Sequence, residues 1–171
     1  MINCVFWDLD ETLIHSMTES KNGDHDFSIH LDSGAWSTTD TYYVKVRKDS
    51  KDVIDYSREL VGHKNVLILT AATYDYAFDI CNKADFGFNR EQIISREQIK
   101  HFVRQQESKY RNENNVLIDN LPVYDNRDKL KVIGIERERY LRIEDYYGVD
   151  FPDDSFKQNC IEFLNSVHRE L

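Results

Sequence analysis

Asp8-Leu9-Asp10-Glu11-Thr12 places three carboxylates and a hydroxyl within five residues, directly after the apolar run Val5-Phe6-Trp7. Carboxylates this crowded repel one another unless a cation compensates them, and hard oxygen ligands suit Mg2+. Two other stretches end in a similar way. "VLIDN" closes an apolar run on Asp119-Asn120, and "VLILTAAT" closes one on Thr70-Ala71-Ala72. The second is a small-residue turn that offers a hydroxyl and backbone N–H groups to an anion. Carboxylates at two strand ends, with a hydroxyl and amides at a third, are the equipment for holding a phosphate against Mg2+. Acidic clusters more often serve as caps and turns, yet no Gly, Pro or Asn separates this one from its apolar run.

These groups meet only if the fold brings the strand ends to one edge. Short apolar runs, β-branched or aromatic, predict strands over Ile2 to Leu9, Val66 to Thr70, Ile93 to Ser95, Val116 to Asp119 and Lys131 to Ile135. Runs that are apolar on both faces belong to a parallel sheet covered on both sides. Amphipathic segments between and after them predict helices over Asp49 to Val61, Tyr74 to Phe86, Arg96 to Asn112 and Asp153 to Leu171. The alternation points to a doubly wound, mainly parallel α/β sheet in a single domain spanning residues 1–171. Right-handed crossovers would then line the loops after each strand along one edge. One piece, at about residues 15–47, breaks the alternation. "DFSIHLD" and "TYYVKVR" alternate apolar and polar residues around Ser33-Gly34, which predicts a small β-hairpin flap and no large cap domain.

Composition removes several classes of function. The chain has 171 residues, 40% of them hydrophobic, and 22 basic against 31 acidic residues leave a formal charge of −9. That balance disfavours broad, backbone-driven nucleic-acid binding. No apolar run approaches the ~18 residues of a membrane span, and the N-terminus has no signal-peptide pattern. Cys4, Cys81 and Cys160 stand far apart without metal-like spacing. Free thiols in a reducing, cytoplasmic setting are the expectation.

The motifs resemble those of the haloacid-dehalogenase superfamily of aspartate-based phosphatases. Within it, the chain is most similar to the small carboxy-terminal-domain, NLI-interacting-factor-like group. Asp8-Leu9-Asp10-Glu11-Thr12 matches the D-x-D-x-T motif, Thr70-Ala71-Ala72 resembles T-A-S with Tyr76-Ala77 as the Y-A that follows, and Asp119-Asn120-Leu121-Pro122 resembles D-N-S-P. The resemblance runs from Ile2 to about Leu164. It implies that Asp8 attacks phosphorus and that Asp10 protonates the leaving oxygen and later activates water. It also implies that Thr70 and the Ala71 amide receive the phosphoryl oxygens. Asp8, Asp10, Asp119 and Asn120 would surround Mg2+, with the Asp10 backbone carbonyl as its contribution. Thr12 would brace the motif loop beside the substrate, and Arg47 would steer a substrate phosphate or form a surface ion pair. "REQIKHF" resembles the segment around the family's phosphate-neutralising lysine, which selects Lys100, with Lys109 and Arg96 as alternatives.

The expected activity is Mg-dependent hydrolysis of a phosphomonoester through an aspartyl-phosphate. A flap too short for a lid leaves room for a phosphorylated macromolecule, and the resemblance favours phosphoserine or phosphothreonine protein over a polynucleotide end or a nucleotide. A phosphotransferase using the same intermediate and a non-catalytic phosphate-binding module are the other readings, and the presence of both Asp8 and Asp10 disfavours the module. Leu121 and Ala72, which replace the family's serines, put the recognition of a particular phosphopeptide in question more than the chemistry.

Overall fold

The computed structural model describes residues 1–20, 23–32, 39–152 and 154–169. In chain order the elements are β1 (Val5–Trp7), β2 (Ile14–Met17), β3 (Phe27–Asp32), β4 (Thr39–Val46), α1 (Ser50–Val61), β5 (Val66–Leu69), α2 (Tyr74–Lys83), β6 (Ile93–Ile94), α3 (Arg96–Gln105), β7 (Val116–Asp119), α4 (Arg127–Ile133), β8 (Tyr140–Arg142) and α5 (Phe156–Arg169).

Every residue of β1 is fully buried, as an apolar run without alternation requires. It sits at the centre of a parallel five-stranded sheet of order β6-β5-β1-β7-β8. Side chains alternate across the pleat. Val5 and Trp7 enter one core with Val53 and Ile54 of α1 and Cys160 and Leu164 of α5. Phe6 enters the other with Ile99 of α3 and Val132 and Ile133 of α4. The indole N–H of Trp7 donates to the Ser57 hydroxyl at 3.2 Å, so the ring is buried without an unpaired polar group.

The predicted hairpin is present as β3 and β4, paired with Ile29 opposite Tyr42. Its turn, including Ser33-Gly34 and Trp36, lies outside the described residues. The flap has a third strand: β2 pairs with β4, giving a separate antiparallel sheet of order β2-β4-β3. No large cap is present among the described residues.

The strand expected over Lys131 to Ile135 is instead the end of helix α4. Leu130, Val132 and Ile133 read as a β-like apolar run, but all three pack on the same core from one short helix. Gly134 ends that helix at φ 74, donating its N–H to the Leu130 carbonyl at 2.8 Å. A Cβ there would stand 2.8 Å from Arg111 Cγ, so both backbone angle and space call for glycine. The fifth strand is β8, three residues long. Helix α3 stops at Gln105, short of the expected Asn112, where Gln106 takes a left-handed conformation.

Candidate active site

The strand order reverses beside β1. The chain moves from β1 to β5 and β6 on one side, then crosses to β7 and β8 on the other. Open α/β sheets bind ligands outside the carboxyl ends of the strands at such a reversal. Register selects the residues: Trp7 is aligned with Ile118 of β7 and Ile68 of β5. Asp8 and Asp119 therefore leave the sheet side by side, about one strand spacing (~4.8 Å) apart. Thr70 follows the last residue of β5 on the other flank.

The Asp8 carboxylate is held at both oxygens. Oδ2 accepts from the Thr12 hydroxyl at 3.0 Å, and Oδ1 accepts from Lys129 Nζ at 2.6 Å. The same ammonium donates to Asp119 Oδ2 at 2.6 Å, and Asp119 Oδ1 accepts from the Leu121 N–H at 2.9 Å. The motif loop turns back at once. The Leu9 carbonyl faces the N–H groups of Thr12, Leu13 and Ile14, and Glu11 takes φ 59, uncommon for a residue with a side chain. The Tyr146 N–H, donating to the Glu11 carbonyl at 2.7 Å, clamps that turn. Asp10 is placed apart from the Lys129 bridge. Its Oδ1 accepts from the Tyr76 hydroxyl at 2.5 Å, and Tyr76 Oη lies 2.6 Å from the Ser16 hydroxyl of β2.

The Thr70 hydroxyl accepts from the Ala72 N–H at 3.1 Å, which leaves its own hydrogen to donate. Ala71 is exposed at the tip of that turn. The Ala72 carbonyl accepts from the Arg96 N–H at 2.9 Å, tying the turn to the start of α3. Asn120 faces inward: its Oδ1 lies 3.3 Å from the Thr12 hydroxyl, and its NH2 donates to Asp145 at 3.0 Å.

Three placements correct the reading of the sequence. Lys100 is exposed on α3 and takes no part in these contacts. Lys109 lies over the Tyr110 ring, and Arg96 is exposed beside Glu97. The buried cation among the carboxylates is Lys129, in the first turn of α4. The expectation of a strand over Lys131 to Ile135 concealed it. Read as a helix opening after Pro122, "VYDNRDKLKVI" would have put a lysine at its active-edge end. Arg47 is 4% exposed and faces inward. Its guanidinium donates twice to Asp154 at 3.2 Å and to the carbonyls of Glu144 and Thr12, and it lies 4.1 Å from the centre of the Phe156 ring. With four of its five N–H donors engaged, Arg47 ties the flap to the start of α5 and is not a free surface cation. Thr12 is fully buried, with its hydroxyl turned to Asp8 and away from the open edge.

The electrostatics follow from two carboxylates sharing one ammonium. Burial alone would lower the Lys129 pKa, but Asp8 and Asp119 outweigh it and keep the side chain charged. Asp8 is pushed up from 3.8 to about 7, first by burial, then by the charges of Asp119 and Asp10, against the pull of Lys129. Burial also raises Asp10, opposed by the Tyr76 hydrogen bond and by Lys129 and His15. Tyr76 is itself raised by burial and by Asp10, so its hydroxyl stays a donor.

A pH dependence follows for the metal-free protein. Between pH ~4 and ~7 folded Asp8 keeps a proton that the unfolded chain has lost, so its share of stability is present at low pH and disappears as pH rises through 7. Melting temperatures in EDTA should fall across that window, with a shallower fall for Asp8→Asn. Equal slopes for the two proteins would contradict this account of Asp8.

The donors fit a hard divalent cation. Two carboxylates already converge on one cationic atom at 2.6 Å each, and every donor is oxygen. Mg2+ commonly takes only one or two protein carboxylates with waters and substrate phosphate, so the lack of a three-ligand cage among the described residues is no obstacle.

A D-x-D pair at the end of the central strand, beside an Asp-Asn pair from its neighbour and under a small antiparallel flap, places the chain in the haloacid-dehalogenase class of phosphatase folds. The chain belongs to the NLI interacting factor-like phosphatase family, whose profile matches residues 3–170. Among the solved structures that share the fold are two of an RNA polymerase II CTD phosphatase. One is Fcp1, an essential RNA polymerase II CTD phosphatase, at 18% identity and a TM-score of 0.63, covering 99% of this chain and 50% of that one. The other is the fission yeast RNA polymerase II CTD phosphatase Fcp1 bound to beryllium fluoride, at 16% identity and a TM-score of 0.61, covering 99% and 51%. The chain thus spans about half the length of these structures. No curated protein sequence matches it.

Proposed function

We propose that this chain hydrolyses phosphomonoesters through an aspartyl-phosphate formed on Asp8. The observation that carries the proposal is the division of labour between two aspartates. Asp8 is aligned by Thr12 and Lys129, while Asp10 sits outside the Lys129 bridge with a hydroxyl partner of its own. An Asp8 oxygen attacks phosphorus and the ester P–O bond breaks, with the Asp10 carboxyl giving its proton to the departing oxygen. Asp10, now a carboxylate, takes a proton from water, whose oxygen attacks phosphorus and releases Asp8 and inorganic phosphate. Thr70 and the Ala71 amide receive phosphoryl oxygens, and Lys129 balances their charge. Asp8, Asp119 and the Asp10 carbonyl would hold Mg2+, which when bound neutralises the phosphoryl group and aligns it for attack. Asn120 acts by positioning Thr12, since its amide is already engaged.

The substrate we infer is a phosphorylated macromolecule, phosphoserine or phosphothreonine protein before a polynucleotide end. The absence of a large cap among the described residues leaves the edge open to a bulky group, and the net charge of −9 disfavours a polyanion. The free thiols Cys4, Cys81 and Cys160 suit a reducing compartment such as the cytoplasm. No helix among the described residues is long and apolar enough to cross a membrane.

Phosphate release should be measured on p-nitrophenyl phosphate, phosphoserine and phosphothreonine peptides, mononucleotides, and 3′- and 5′-phosphorylated oligonucleotides, with Mg2+ and with EDTA. The expected result is metal-dependent release, with kcat/KM highest on the peptides. A mononucleotide turned over far better than any polymer would overturn the macromolecular reading.

A further inference from the structure

Asp10 is connected to the flap by a short chain of hydroxyls. Tyr76 Oη lies 2.5 Å from Asp10 Oδ1 and 2.6 Å from Ser16 Oγ. A phenol has one hydrogen to give. With that hydrogen on Asp10, the second contact is satisfied when the Ser16 hydroxyl donates to Tyr76 Oη. Ser16 belongs to β2, opposite Val44 of β4, and so lies in the flap sheet. Tyr76 belongs to the first turn of α2, after the Thr70 turn, and is 7% exposed. Its ring packs edge-on against Tyr42 of β4, centroids 5.3 Å apart, so ring and hydroxyl both tie α2 to the flap.

We propose that Tyr76 and Ser16 form a positioning relay that aims the Asp10 carboxyl at the leaving oxygen and makes proton donation depend on the seating of the flap sheet. This rests on the phosphatase reading above. The carboxyl of Asp10 has two oxygens. Anchoring Oδ1 on Tyr76 presents Oδ2 to the substrate and fixes the rotamer. Without the anchor the carboxyl samples several orientations, and the transition state bears the cost of selecting one. Tyr76 keeps its own proton throughout: the hydrogen given to the leaving group comes from Asp10, and the one regained comes from water. The relay therefore changes no atom count in either step. It is a positioning device, distinct from the Thr12 and Lys129 contacts that hold Asp8.

A positioning role for the acid has a signature that general loosening of the site lacks. p-Nitrophenolate leaves readily without a proton, whereas the alkoxide of a serine side chain does not. kcat/KM reports steps up to the first irreversible one, here transfer of the phosphoryl group to Asp8. Wild type, Tyr76→Phe, Ser16→Ala and Ser16→Thr should be compared on p-nitrophenyl phosphate and on a phosphoserine peptide with Mg2+ present, with melting temperatures measured in parallel. Tyr76→Phe is expected to lower kcat/KM on the peptide by about tenfold or more, a part of the ~10²–10⁴-fold available to a general acid. The change on p-nitrophenyl phosphate should stay within about threefold. Ser16→Ala should repeat the pattern with a smaller loss, and Ser16→Thr, which restores the hydroxyl, should recover the peptide rate. Equal losses on both substrates, or none from Tyr76→Phe, in a folded protein whose wild type is active would overturn the relay and leave the phosphatase reading standing. No turnover of either substrate by wild type would overturn both.

Discussion

Phosphate release by Asp8→Asn is expected to fall by at least about four orders of magnitude relative to wild type, because the substitution replaces with an amide the group proposed to form the covalent intermediate. The substitution is nearly isosteric. An asparagine oxygen still accepts from Lys129 while its NH2 donates to the Thr12 hydroxyl oxygen, whose hydrogen turns to Asn120 Oδ1, and Lys129 keeps Asp119. Removing one of two carboxylates from a buried site that holds a single ammonium also relieves repulsion, so the metal-free variant should melt no lower than wild type at neutral pH. Activity and stability then move apart, which separates loss of the nucleophile from loss of the fold. Rapid-quench experiments with labelled phosphopeptide should trap an acyl phosphate on wild type and none on the variant. Activity within tenfold of wild type would place the attacking group elsewhere and remove the central step of the proposed reaction.

Lys129→Met is expected to be costly twice over. Lys129 is the buried cation facing both Asp8 and Asp119, and it is 5% exposed. Losing one preorganised group that stabilises developing charge lowers the rate by about 10²–10³-fold. Removing the cation also leaves two adjacent buried carboxylates without a counter-ion, and breaking a buried ion pair in this way costs roughly 3–5 kcal/mol. In EDTA the variant should melt well below wild type. Added Mg2+ should recover more of that loss for the variant than it adds to wild type, because a divalent cation held by Asp8 and Asp119 would supply positive charge that the variant lacks. Lys100→Met, on the exposed face of α3, serves as the contrast and should change neither quantity appreciably. If Lys100→Met were the damaging substitution and Lys129→Met silent, the placement of the phosphate-neutralising lysine on α4 would be wrong.

Arg47 and Lys129 mark where sequence reading and structure part. An arginine just before a helix reads as a free cation at an edge. Its fate depended on Asp154, more than a hundred residues away, and on the Phe156 ring, which no local pattern announces. Lys129 was hidden by the opposite problem. "KLKVIGI" carries β-branched residues at strand-like density, and a helix of seven residues is too short for its periodicity to stand out. The β2 strand was missed for a related reason. Ile14–Met17 has little alternation of its own and becomes a strand because β4 pairs with it.

What the sequence determined by itself is local: Asp8 and Asp10 two apart at the end of a fully apolar run, Asp119-Asn120 at the end of another, and the small-residue turn at Thr70. The alternation of buried strands with amphipathic helices determined that these ends share one edge, because crossover connections leave little choice. Tertiary structure alone decided which strands are neighbours, and hence that Asp8 and Asp119 lie side by side with the ammonium of Lys129 between them. It also decided that Asp10 turns away from that bridge to Tyr76 and Ser16. The physical reason is range. Secondary structure and motif chemistry are set by residues a few positions apart, whereas charge pairing and hydroxyl contacts in a buried site are set by whatever the packed chain brings within about 3 Å.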